Sequence, residues 1–572
     1  MDAGDAMERG ERAPLLPESH GTKVQDDSLE VPLLKDKKRS GSKAPAVVLG
    51  FECLESTAFN GISTNLVVYL ETVLHGSNLA SASNVTTWFG TSYLTPIFGA
   101  IIADTFLGNY NTILVSLAVY LLGMMLVTFS AFLPTAALCS AAVGASCGTV
   151  AAAQTVAFIG LYLVAVGSGG VRSSLLPFGA EQFDDDNAAD RESKASFFSW
   201  FYLCVDFGPI VSGVFLVWIQ QNVSWGLGFG IATACIALAF AAFVLATPMY
   251  KRRMPTGTPL KSLSQVVVAA FSKVGMKLPA DAELLYEVGD KVDSQPKIAH
   301  TSEFTFLDKA AVISESDLEE REEVASSWKL CTVTQVEELK ILMRLLPIWA
   351  TSIIVSAAYS QINTTFIQQG SAMDKNIFSV SIPAASLGSF EVLCVLTWVL
   401  LYSKVIVPAL RGFSGVAGEP SQLQRMGVGR LLMALAMAVA AFVEMKRLHA
   451  AASGEAINIS WQLPQYFFLA GAEVFCYIAQ LEFFFAEAPD TMKSTCTSLA
   501  LLTIALGSYM SSLIYAIVEA FTATAGSPGW ISDDLNRGHL DYFFWMMAAM
   551  CTLNFVVYSA FAKNYKLKTV LS

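Results

Sequence analysis

The chain has 572 residues, of which 54% are hydrophobic and 15% are charged, and its mean hydropathy is +0.51. About a quarter of the residues in a soluble globular domain are charged, so this composition excludes an ordinary soluble protein and predicts a lipid environment. The formal net charge of −12 argues against a surface that binds nucleic acid.

Long apolar runs recur at the length that a bilayer requires. A spanning helix needs about 20 mostly apolar residues, and only helices and closed barrels satisfy their backbone groups in lipid. Seven runs contain no Asp, Glu, Lys or Arg: 85–103, 111–138, 148–171, 225–250, 345–373, 494–518 and 542–562. Five more qualify although charges interrupt them: 44–72, 195–220, 376–403, 426–446 and 461–486. The sequence therefore predicts an all-α membrane protein with twelve spans.

The twelve runs form two groups of six around a polar segment that contains the acidic run 315–323. Such a two-half layout is typical of secondary carriers. The polar segment could be a separate domain, but its short, charged stretches favour a linker. Thr334 and Glu337 have capping-box spacing, which predicts that the seventh helix begins there. We predict five segments: a disordered cytosolic leader (1–43), a six-helix bundle (44–250), a cytosolic linker (251–336), a second six-helix bundle (337–564) and a cytosolic tail (565–572).

Basic residues cluster in the loops on the side of the N terminus. Cytosolic loops carry an excess of Lys and Arg, so both termini are predicted to be cytosolic. In the leader, residues 11–16 (Glu-Arg-Ala-Pro-Leu-Leu) have the form of an acidic dileucine sorting signal. This form favours vacuolar or endosomal targeting; alternatively, the leader is a tail without sorting information. The predicted membrane is the plasma membrane or the vacuolar membrane.

The ten cysteines show no spacing that suggests a metal site, and most fall within spans as small buried thiols. Cys139 and Cys147 instead fall in a loop on the non-cytosolic side, where a disulfide is one of two possibilities. The sequence has no motif for a catalytic nucleophile, for phosphate binding or for metal binding, so an enzyme is not predicted. No cofactor is expected.

Charges inside the spans are the main functional signal, because an ionisable group at membrane depth is costly unless it is paired or hydrated. Glu52 and Glu55 lie three residues apart, on one face of the first helix with Ser56, Asn60 and Ser63. Two close carboxylates in a low dielectric repel, so one of them can take up a proton near neutral pH. The alternative is a static, hydrogen-bonded polar packing site.

Arg172 ends the fourth apolar run and follows Gly167-Ser-Gly-Gly170, whose small residues allow close helix approach. Its guanidinium is a natural partner for Glu52, Glu55 or a substrate carboxylate; alternatively, it reaches out to the cytosolic interface. Asp206 in the fifth span is predicted to be a further buried acid in the same half.

In the second half, Glu473 shares a stripe of the tenth span with Tyr477, Gln480 and Phe484. Ser352, Ser356, Tyr359 and Asn363 share a face of the seventh span, and the two stripes predict a hydrated cavity wall. Glu473 is the candidate partner of a substrate ammonium group. Structural or interfacial pairing explains three other acids equally well: Glu391, Glu444 and Glu482.

Several motifs resemble the plant nitrate/peptide transporter family, which is part of the proton-coupled oligopeptide transporters of the major facilitator superfamily. The motifs are Gly99-Ala-Ile-Ile-Ala-Asp104-Thr-Phe-Leu-Gly108, Gly167-Ser-Gly-Gly-Val-Arg172, Phe178-Gly-Ala-Glu-Gln-Phe-Asp184, Phe197-Phe-Ser-Trp-Phe-Tyr202 and Gln480-Leu-Glu-Phe483. The likeness is greatest to the di- and tripeptide-transporting branch, through segments 225–230, 330–338 and 538–545. It implies a twelve-helix major facilitator fold and proton symport by alternating access.

The resemblance also implies residue roles. Glu52 and Glu55 match the proton-coupling glutamates, Arg172 matches the basic residue of the fourth span, and Glu473 matches the acid that holds a peptide amino terminus. Tyr359 stands where some nitrate carriers have a histidine, which disfavours nitrate.

The chain also departs from the family pattern. Ser56 replaces the cation of the Glu-x-x-Glu-Arg/Lys motif, Phe59 and Asn60 replace a tyrosine pair, and Asp206 replaces an asparagine of the fifth span. The N-terminal half of the cavity should then hold an excess of acid, so that one acid is protonated at rest or the solute is cationic.

The sequence thus predicts a proton-coupled di- or tripeptide symporter, as a monomer or weak dimer in the bilayer. The predicted site residues are Glu52, Glu55, Asn60, Arg172, Asp206, Tyr359 and Glu473. The alternatives are a carrier of nitrate or another small organic solute, and a membrane sensor that does not transport.

Overall fold

The structure is a computed structural model that describes residues 43–133, 147–183, 188–252, 259–276, 285–287, 298, 300–313, 328–377, 380–409, 420–487, 493–524 and 527–565. The dileucine-like segment 11–16, Cys139, the acidic run 315–323 and most of the tail lie outside these residues. The disulfide between Cys139 and Cys147 stays a prediction.

The first half contains six spans. Their helices are Ala44–Ser63 with Leu66–Thr72, Asn78–Ile102, Gly108–Phe132, Cys147–Ala180, Ala188–Val211 with Val217–Asn222, and Trp225–Leu245. Single π-helical turns, Ala103–Leu107 and Ser212–Leu216, follow the second helix and interrupt the fifth span.

The second half repeats this number. Its helices are Val333–Tyr359 with Thr365–Ser371, Leu387–Leu401, Gln422–Ala452, Leu463–Glu473 with Ala479–Glu487, Lys493–Thr522, and Leu540–Asn564. Further π-helical turns, Tyr402–Ile406 and Val474–Ile478, lie after the eighth helix and within the tenth span. After twelve crossings, Lys43 and Tyr565 lie on one side of the bundle, which we call the terminal side.

Ten helical segments of the described chain are long and apolar enough to cross a membrane, and one of them, Asn78–Phe132, contains two spans. The first span is the remaining one, and Glu52 and Glu55 make it more polar. Large apolar side chains such as Phe106, Leu238 and Phe521 are exposed on the helices, as expected for surfaces that face lipid.

The predicted eighth span is too long at its start. Residues Asn376–Ile377 and Val380–Ser381 pair as a short antiparallel hairpin, and the helix begins at Leu387. Pro383 explains the late start, because the residue before a proline disfavours the helical region.

The first helix of each half is interrupted. The first span breaks between Ser63 and Leu66, where the Nε2 of Gln220 in the fifth span donates to the Gly61 carbonyl (2.6 Å) and the Asn65 side chain donates to Gln220 Oε1 (3.0 Å). Within a bilayer, a broken helix needs such partners for its freed polar groups.

The seventh span breaks in the same way. Its helix ends at Tyr359, passes through a 3₁₀ turn, Ser360–Asn363, and resumes at Thr365. The Tyr515 hydroxyl of the eleventh span donates to Gln361 Oε1 (2.6 Å) and lies 2.8 Å from the Thr364 hydroxyl. Each half therefore begins with a helix whose backbone is redirected beside the centre of the bundle.

Small residues allow two close helix contacts that shape the first half. A Cβ atom at Gly167 would lie 2.5 Å from the Tyr120 backbone nitrogen, and one at Gly208 would lie 2.1 Å from the Ser56 hydroxyl oxygen. Glycine is required at both positions, because no side chain fits between the helices. The second contact fixes the fifth span against the polar face of the first.

The linker segment has a core of its own. The helix Pro259–Ser272, the 3₁₀ turn Asp308–Ala311 and the start of the seventh helix bury an apolar cluster: Val266, Ala269, Ala270, Leu285, Leu307, Ala310, Ala311, Cys331 and Val336. The described part of the linker is thus packed onto the seventh helix, more compactly than a simple connection.

The predicted capping box is wrong by two residues. The seventh helix is capped by Thr332, whose hydroxyl accepts from Gln335 N (3.2 Å) while Gln335 Oε1 accepts from Thr332 N (3.1 Å). Thr334 instead donates to Glu287, and Glu337 accepts from Thr301, because linker side chains occupy those positions.

A buried ion cluster ties the linker to this helix. Lys340 Nζ lies 2.7 Å from Asp308 Oδ1 and 2.8 Å from Glu337 Oε1, and all three side chains are buried. His300 Nε2 lies 3.2 Å from Asp308 Oδ2. His300, Asp308 and Glu337 are close enough to share a metal ion, but the Lys340 ammonium already bridges the two carboxylates.

We expect Asp308→Asn to loosen this attachment, because removing one partner of a buried ion pair costs about 3–5 kcal/mol. Cys331 reports the change: burial raises the pKa of its thiol to about 11, although Lys273 opposes the shift. The native thiol should therefore react slowly with iodoacetamide at neutral pH. Site-resolved mass spectrometry should show alkylation of Cys331 about tenfold faster, or more, in the variant.

The matched control is Glu303→Gln, which removes a half-exposed partner of Arg344 from the same segment. A surface pair contributes about 0–1 kcal/mol, so Cys331 should stay protected there. Equal labelling of Cys331 in wild type and Asp308→Asn would show that the ion cluster does not hold the linker.

Candidate substrate and proton site

A central cavity of about 470 Å³ lies between the two halves. This volume is within the range of about 300–1,000 Å³ that is usual for small-molecule sites. All seven predicted site residues line it: Glu52, Glu55, Asn60, Arg172, Asp206, Tyr359 and Glu473. The structure thus brings together side chains from the first, fourth, fifth, seventh and tenth spans.

Arg172 and Glu55 form the charged pair of the first half. Arg172 Nε lies 3.5 Å from Glu55 Oε1, and the guanidinium stacks 3.7 Å above the centre of the Phe59 ring. The Arg172 side chain is 24% exposed, whereas that of Glu55 is 1% exposed. Arg172 therefore lies at the cavity wall, between a buried carboxylate and the space where a solute would bind.

This pairing leaves polar atoms unsatisfied. Glu55 Oε1 and the Tyr120 hydroxyl are buried and have no hydrogen-bond partner among the described residues. Glu52, 6% exposed, lies one helical turn from Glu55. Because buried polar groups are normally hydrogen-bonded, a proton on one of these carboxyls would supply the missing donor.

Ser56 occupies the position where the family motif has a cation. Its hydroxyl donates to the Val205 carbonyl of the fifth span (2.7 Å), and the Asn60 side-chain amide donates to the Ser56 carbonyl (2.8 Å). The polar face of the first helix is thus joined to the fifth span by neutral hydrogen bonds and lacks a second positive charge.

We expect Ser56→Arg to shift the pH dependence of uptake toward lower pH. A cation beside Glu52 and Glu55 stabilises their ionised form, so more acid is needed to load the pair with a proton. The measurement is uptake into proteoliposomes across a pH series. Ser56→Ala, the matched control, removes the bond to Val205 and a longer bond from Asn60 (3.4 Å) but adds no charge, so it should keep the wild-type midpoint. An unaltered profile in Ser56→Arg would contradict this prediction.

Asp206 lines the cavity, but the prediction that it is buried is wrong. Its side chain is exposed, because it projects from the fifth span into the cavity instead of into the helix packing, where Gly208 is the buried residue. Water in the cavity can therefore hydrate this carboxylate.

In the second half, Tyr359 joins two acids. Its hydroxyl lies 3.0 Å from Glu473 Oε2 and 3.4 Å from Glu391 Oε1, and Glu391 also lines the cavity. The sequence left Glu391 open between an acid of the site and a structural or interfacial one.

Part of the predicted cavity wall is packed protein. Ser356 accepts a hydrogen bond from Tyr477 (2.9 Å), and Ser352 accepts one from Arg430 Nη2 (2.9 Å). Arg430, which sequence reasoning missed, is 1% exposed, and its guanidinium lies 3.7 Å from the centre of the Tyr558 ring. These partners turn Ser352 and Ser356 away from the cavity, which Tyr359, Asn363 and Glu473 line instead.

The two remaining acids form ion pairs, which is one of the two interpretations that the sequence left open. Glu444 pairs with Arg447 (2.7 Å) in the ninth span, and Glu482 pairs with Arg425 (2.6 Å). Neither acid lines the cavity described above.

The cavity is strongly acidic. Five carboxyl groups line it, from Glu52, Glu55, Asp206, Glu391 and Glu473, and the single cation among its lining residues is Arg172. Such an imbalance at membrane depth favours protonation of some acids or the binding of a positively charged group. The arrangement can therefore exchange protons and hold a solute that carries an ammonium group.

Hydrogen bonds join the halves on the side away from the termini. Gln368 of the seventh span donates to Glu71 Oε1 (2.6 Å) and to the Asn78 carbonyl (2.7 Å) of the first half. The Asn78 side chain also donates to the Ser532 carbonyl (2.9 Å). These contacts hold the halves together beyond the cavity.

Twelve spans in two halves, broken first helices and a charged cavity between the halves define a multi-pass membrane transporter of the major facilitator type. The sequence profile of the POT family matches residues 110–531. The chain belongs to this family, which is one of membrane transporters and not of enzymes.

Two relatives from Arabidopsis thaliana show the extent of the match. Protein NRT1/ PTR FAMILY 8.3 is 49% identical over 553 residues, which cover 95% of this chain and 94% of the relative. Protein NRT1/ PTR FAMILY 8.1 is 43% identical and covers 93% of this chain and 95% of its own length. The resemblance to the plant nitrate/peptide transporter family is thereby confirmed.

Solved structures of the same family share the fold. An auto-inhibited POT family peptide transporter is similar with a TM-score of 0.70 and 20% identity, covering 93% of this chain and 99% of the other. A POT family transporter in complex with 5-aminolevulinic acid is similar with a TM-score of 0.63 and 13% identity, covering 92% and 98%. The predicted twelve-helix major facilitator fold is confirmed.

Proposed function

We propose that this transporter is a proton-coupled symporter of di- and tripeptides that works by alternating access. The observation that carries the proposal is the separation of charge within one cavity. Arg172 lies in the first half and the Glu473–Tyr359 pair lies in the second. A zwitterionic peptide has a carboxylate that Arg172 can bind and an ammonium group that Glu473 can bind.

Coupling follows from the contact between Arg172 and Glu55. While Glu55 is ionised, it holds the guanidinium by charge (3.5 Å). Protonation of the Glu52/Glu55 pair removes that attraction and leaves Arg172 free to bind a substrate carboxylate, with which it can form two parallel hydrogen bonds. Proton and peptide then bind together, and the two halves rock about the loaded site.

A cationic solute is the second candidate, because five carboxyls face one guanidinium in the cavity. A peptide with a lysine side chain would neutralise more of this excess than dialanine. Nitrate is less well supported, since an anion would have Arg172 as its only positive partner among the residues that line the cavity, and Arg172 already contacts Glu55.

Two-electrode recordings from oocytes test these alternatives directly. Ala-Ala, Ala-Lys, Ala-Glu, histidine and nitrate are applied at pH 5.5 and at pH 7.5, values chosen to lie on either side of neutrality. The proposal predicts inward current with Ala-Ala that grows in acid, and the cationic alternative predicts that Ala-Lys exceeds it severalfold. Current with nitrate alone would contradict the peptide assignment, and binding of Ala-Ala without any current would indicate a sensor.

The remaining parts of the proposal concern placement. We propose that the terminal side faces the cytosol, because the loops on that side carry the excess of Lys and Arg. The protein would act as a monomer or weak dimer in the plasma membrane or the vacuolar membrane. Accessibility of an N-terminal epitope tag before and after permeabilisation, together with imaging of a tagged chain, tests side and membrane.

A further inference from the structure

Two carboxyl groups of the second half meet at one phenol hydroxyl. Glu391 of the eighth span and Glu473 of the tenth lie 3.4 Å and 3.0 Å from the Tyr359 hydroxyl of the seventh. Glu391 is 4% exposed, so little water can separate it from its neighbours. We call these three side chains the carboxyl cluster.

Counting hydrogens limits the charge of the carboxyl cluster. A phenol carries one hydrogen, so Tyr359 can donate to only one of the two acids. Its contact with the other acid is attractive only if that carboxyl is protonated and donates to the phenol oxygen. Two ionised carboxylates at this separation would instead repel each other in a medium of low dielectric.

None of the described titratable groups that face the carboxyl cluster is a cation. The titratable groups that face the cluster from the packed helices are tyrosines, a thiol and another acid: Tyr466 and Tyr477 of the tenth span, Tyr93 of the second, Cys394 of the eighth and Asp206 of the fifth. Among the residues that line the cavity, Arg172 is the single cation, and it contacts Glu55 in the other half together with Glu52. A proton is therefore the available positive charge for an empty site.

We infer that the carboxyl cluster holds one proton when the cavity is empty and releases it when a substrate ammonium group binds between Glu391 and Glu473. The O–H bond of the carboxylic acid breaks, and the proton passes to water. Hydrogen bonds from the N–H groups of the ammonium to the two carboxylates then replace the hydrogen bond that the carboxylic acid made. The inference rests on the proposed function, because it requires a solute with an ammonium group.

This arrangement gives the transporter a second proton-linked group besides Glu52 and Glu55. The two act in opposite directions: protonation of the first-span pair frees Arg172 for substrate, whereas protonation of the carboxyl cluster competes with substrate. Affinity for an ammonium-bearing solute should therefore rise as the pH rises through the range in which the cluster loses its proton. Because the cluster loses one proton for each substrate molecule that binds, net proton symport requires Glu52 and Glu55 to take up one proton each.

Infrared difference spectroscopy detects the stored proton without any ligand. The purified full chain in nanodiscs at pH 7 should show the C=O stretch of a protonated carboxyl group that Glu391→Gln lacks. Glu519→Gln, an exposed acid of the eleventh span outside the cavity, should keep the band. A difference spectrum between wild type and Glu391→Gln without this band would overturn the inference.

Isothermal titration calorimetry in two buffers of different ionisation enthalpy counts the released proton. In the double variant Glu52→Gln and Glu55→Gln, whose first span cannot take up a proton, Ala-Ala should release close to one proton per molecule bound. Adding Glu391→Gln, which allows Glu473 to be ionised before binding, should reduce this release to close to none. N-acetyl-Ala-Ala, which lacks the ammonium group, should release none from either.

The outcomes separate this inference from the proposed function. Binding of Ala-Ala to the Glu52/Glu55 double variant without proton release would overturn the inference, and the binding itself shows that this variant is folded. Equal release after adding Glu391→Gln would also overturn it. Failure of Ala-Ala to bind at all would overturn the peptide assignment instead, and the infrared band would still decide whether the cluster stores a proton.

Discussion

Replacing both Glu52 and Glu55 with glutamine should abolish concentrative, proton-driven uptake of Ala-Ala, with a fall of about a hundredfold or more. Neither amide can take up a proton, so nothing in the first span can release Arg172 in a pH-dependent way. The double variant loses the charge-assisted contact with Arg172 and also the group whose protonation switches that contact off. Each tenfold fall in uptake corresponds to about 1.4 kcal/mol. The measurement is uptake into proteoliposomes with an imposed pH gradient.

Counterflow exchange without a gradient distinguishes loss of coupling from loss of folding. It should persist in the double variant, because both halves and the ammonium site remain. The double variant Glu482→Gln and Glu519→Gln removes two carboxyls outside the cavity and serves as the matched control. Uptake equal to wild type in the Glu52/Glu55 variant would end the hypothesis that this pair couples protons to transport.

Arg172→Lys should reduce transport of Ala-Ala about tenfold or more, although the charge is kept. Arginine presents a planar fork that binds a carboxylate through two parallel hydrogen bonds, and lysine is a compact point charge. The flat guanidinium is also held against Phe59, 3.7 Å from the ring centre, a contact worth about 0.5–2 kcal/mol that lysine reproduces poorly. The loss should appear mainly as a higher KM for peptides with a free carboxylate.

A peptide amide supplies the internal comparison for this variant. Ala-Ala-NH₂ lacks the carboxylate, so its weak transport should change little between wild type and Arg172→Lys. Arg425→Lys, which alters an arginine paired with Glu482 outside the cavity, should behave as wild type toward both compounds. A uniform loss for both compounds would mean that Arg172 supports the fold and not the substrate carboxylate.

Functional residues that carry a charge inside a membrane span could be predicted from the sequence. Glu52, Glu55, Arg172 and Glu473 stand out because charge is rare inside apolar runs, and all four line the cavity. The number of spans follows from the same contrast, since run length and charge alone define a helix that crosses a bilayer.

Contacts between distant segments could not be predicted. Tyr359 brings Glu391 to Glu473, and the three residues lie on three different helices, so no local pattern distinguishes Glu391 from a structural acid. Thr334 and Glu337 satisfy the capping-box pattern, yet linker side chains bind them and Thr332 caps the helix. Ser352 and Ser356 follow the cavity face by spacing, but Arg430 and Tyr477 bind their hydroxyls.

The packing of the linker determines which of the two six-helix bundles it moves with during transport. Its apolar cluster and its ion cluster both end on the seventh helix, and Leu263 and Ile298 pack against a second apolar cluster of that helix with the ninth, tenth and twelfth. The described part of the linker therefore moves together with the C-terminal bundle. A fluorophore attached at an exposed linker residue such as Phe271 would report the rotation of that bundle relative to a second fluorophore on the N-terminal one.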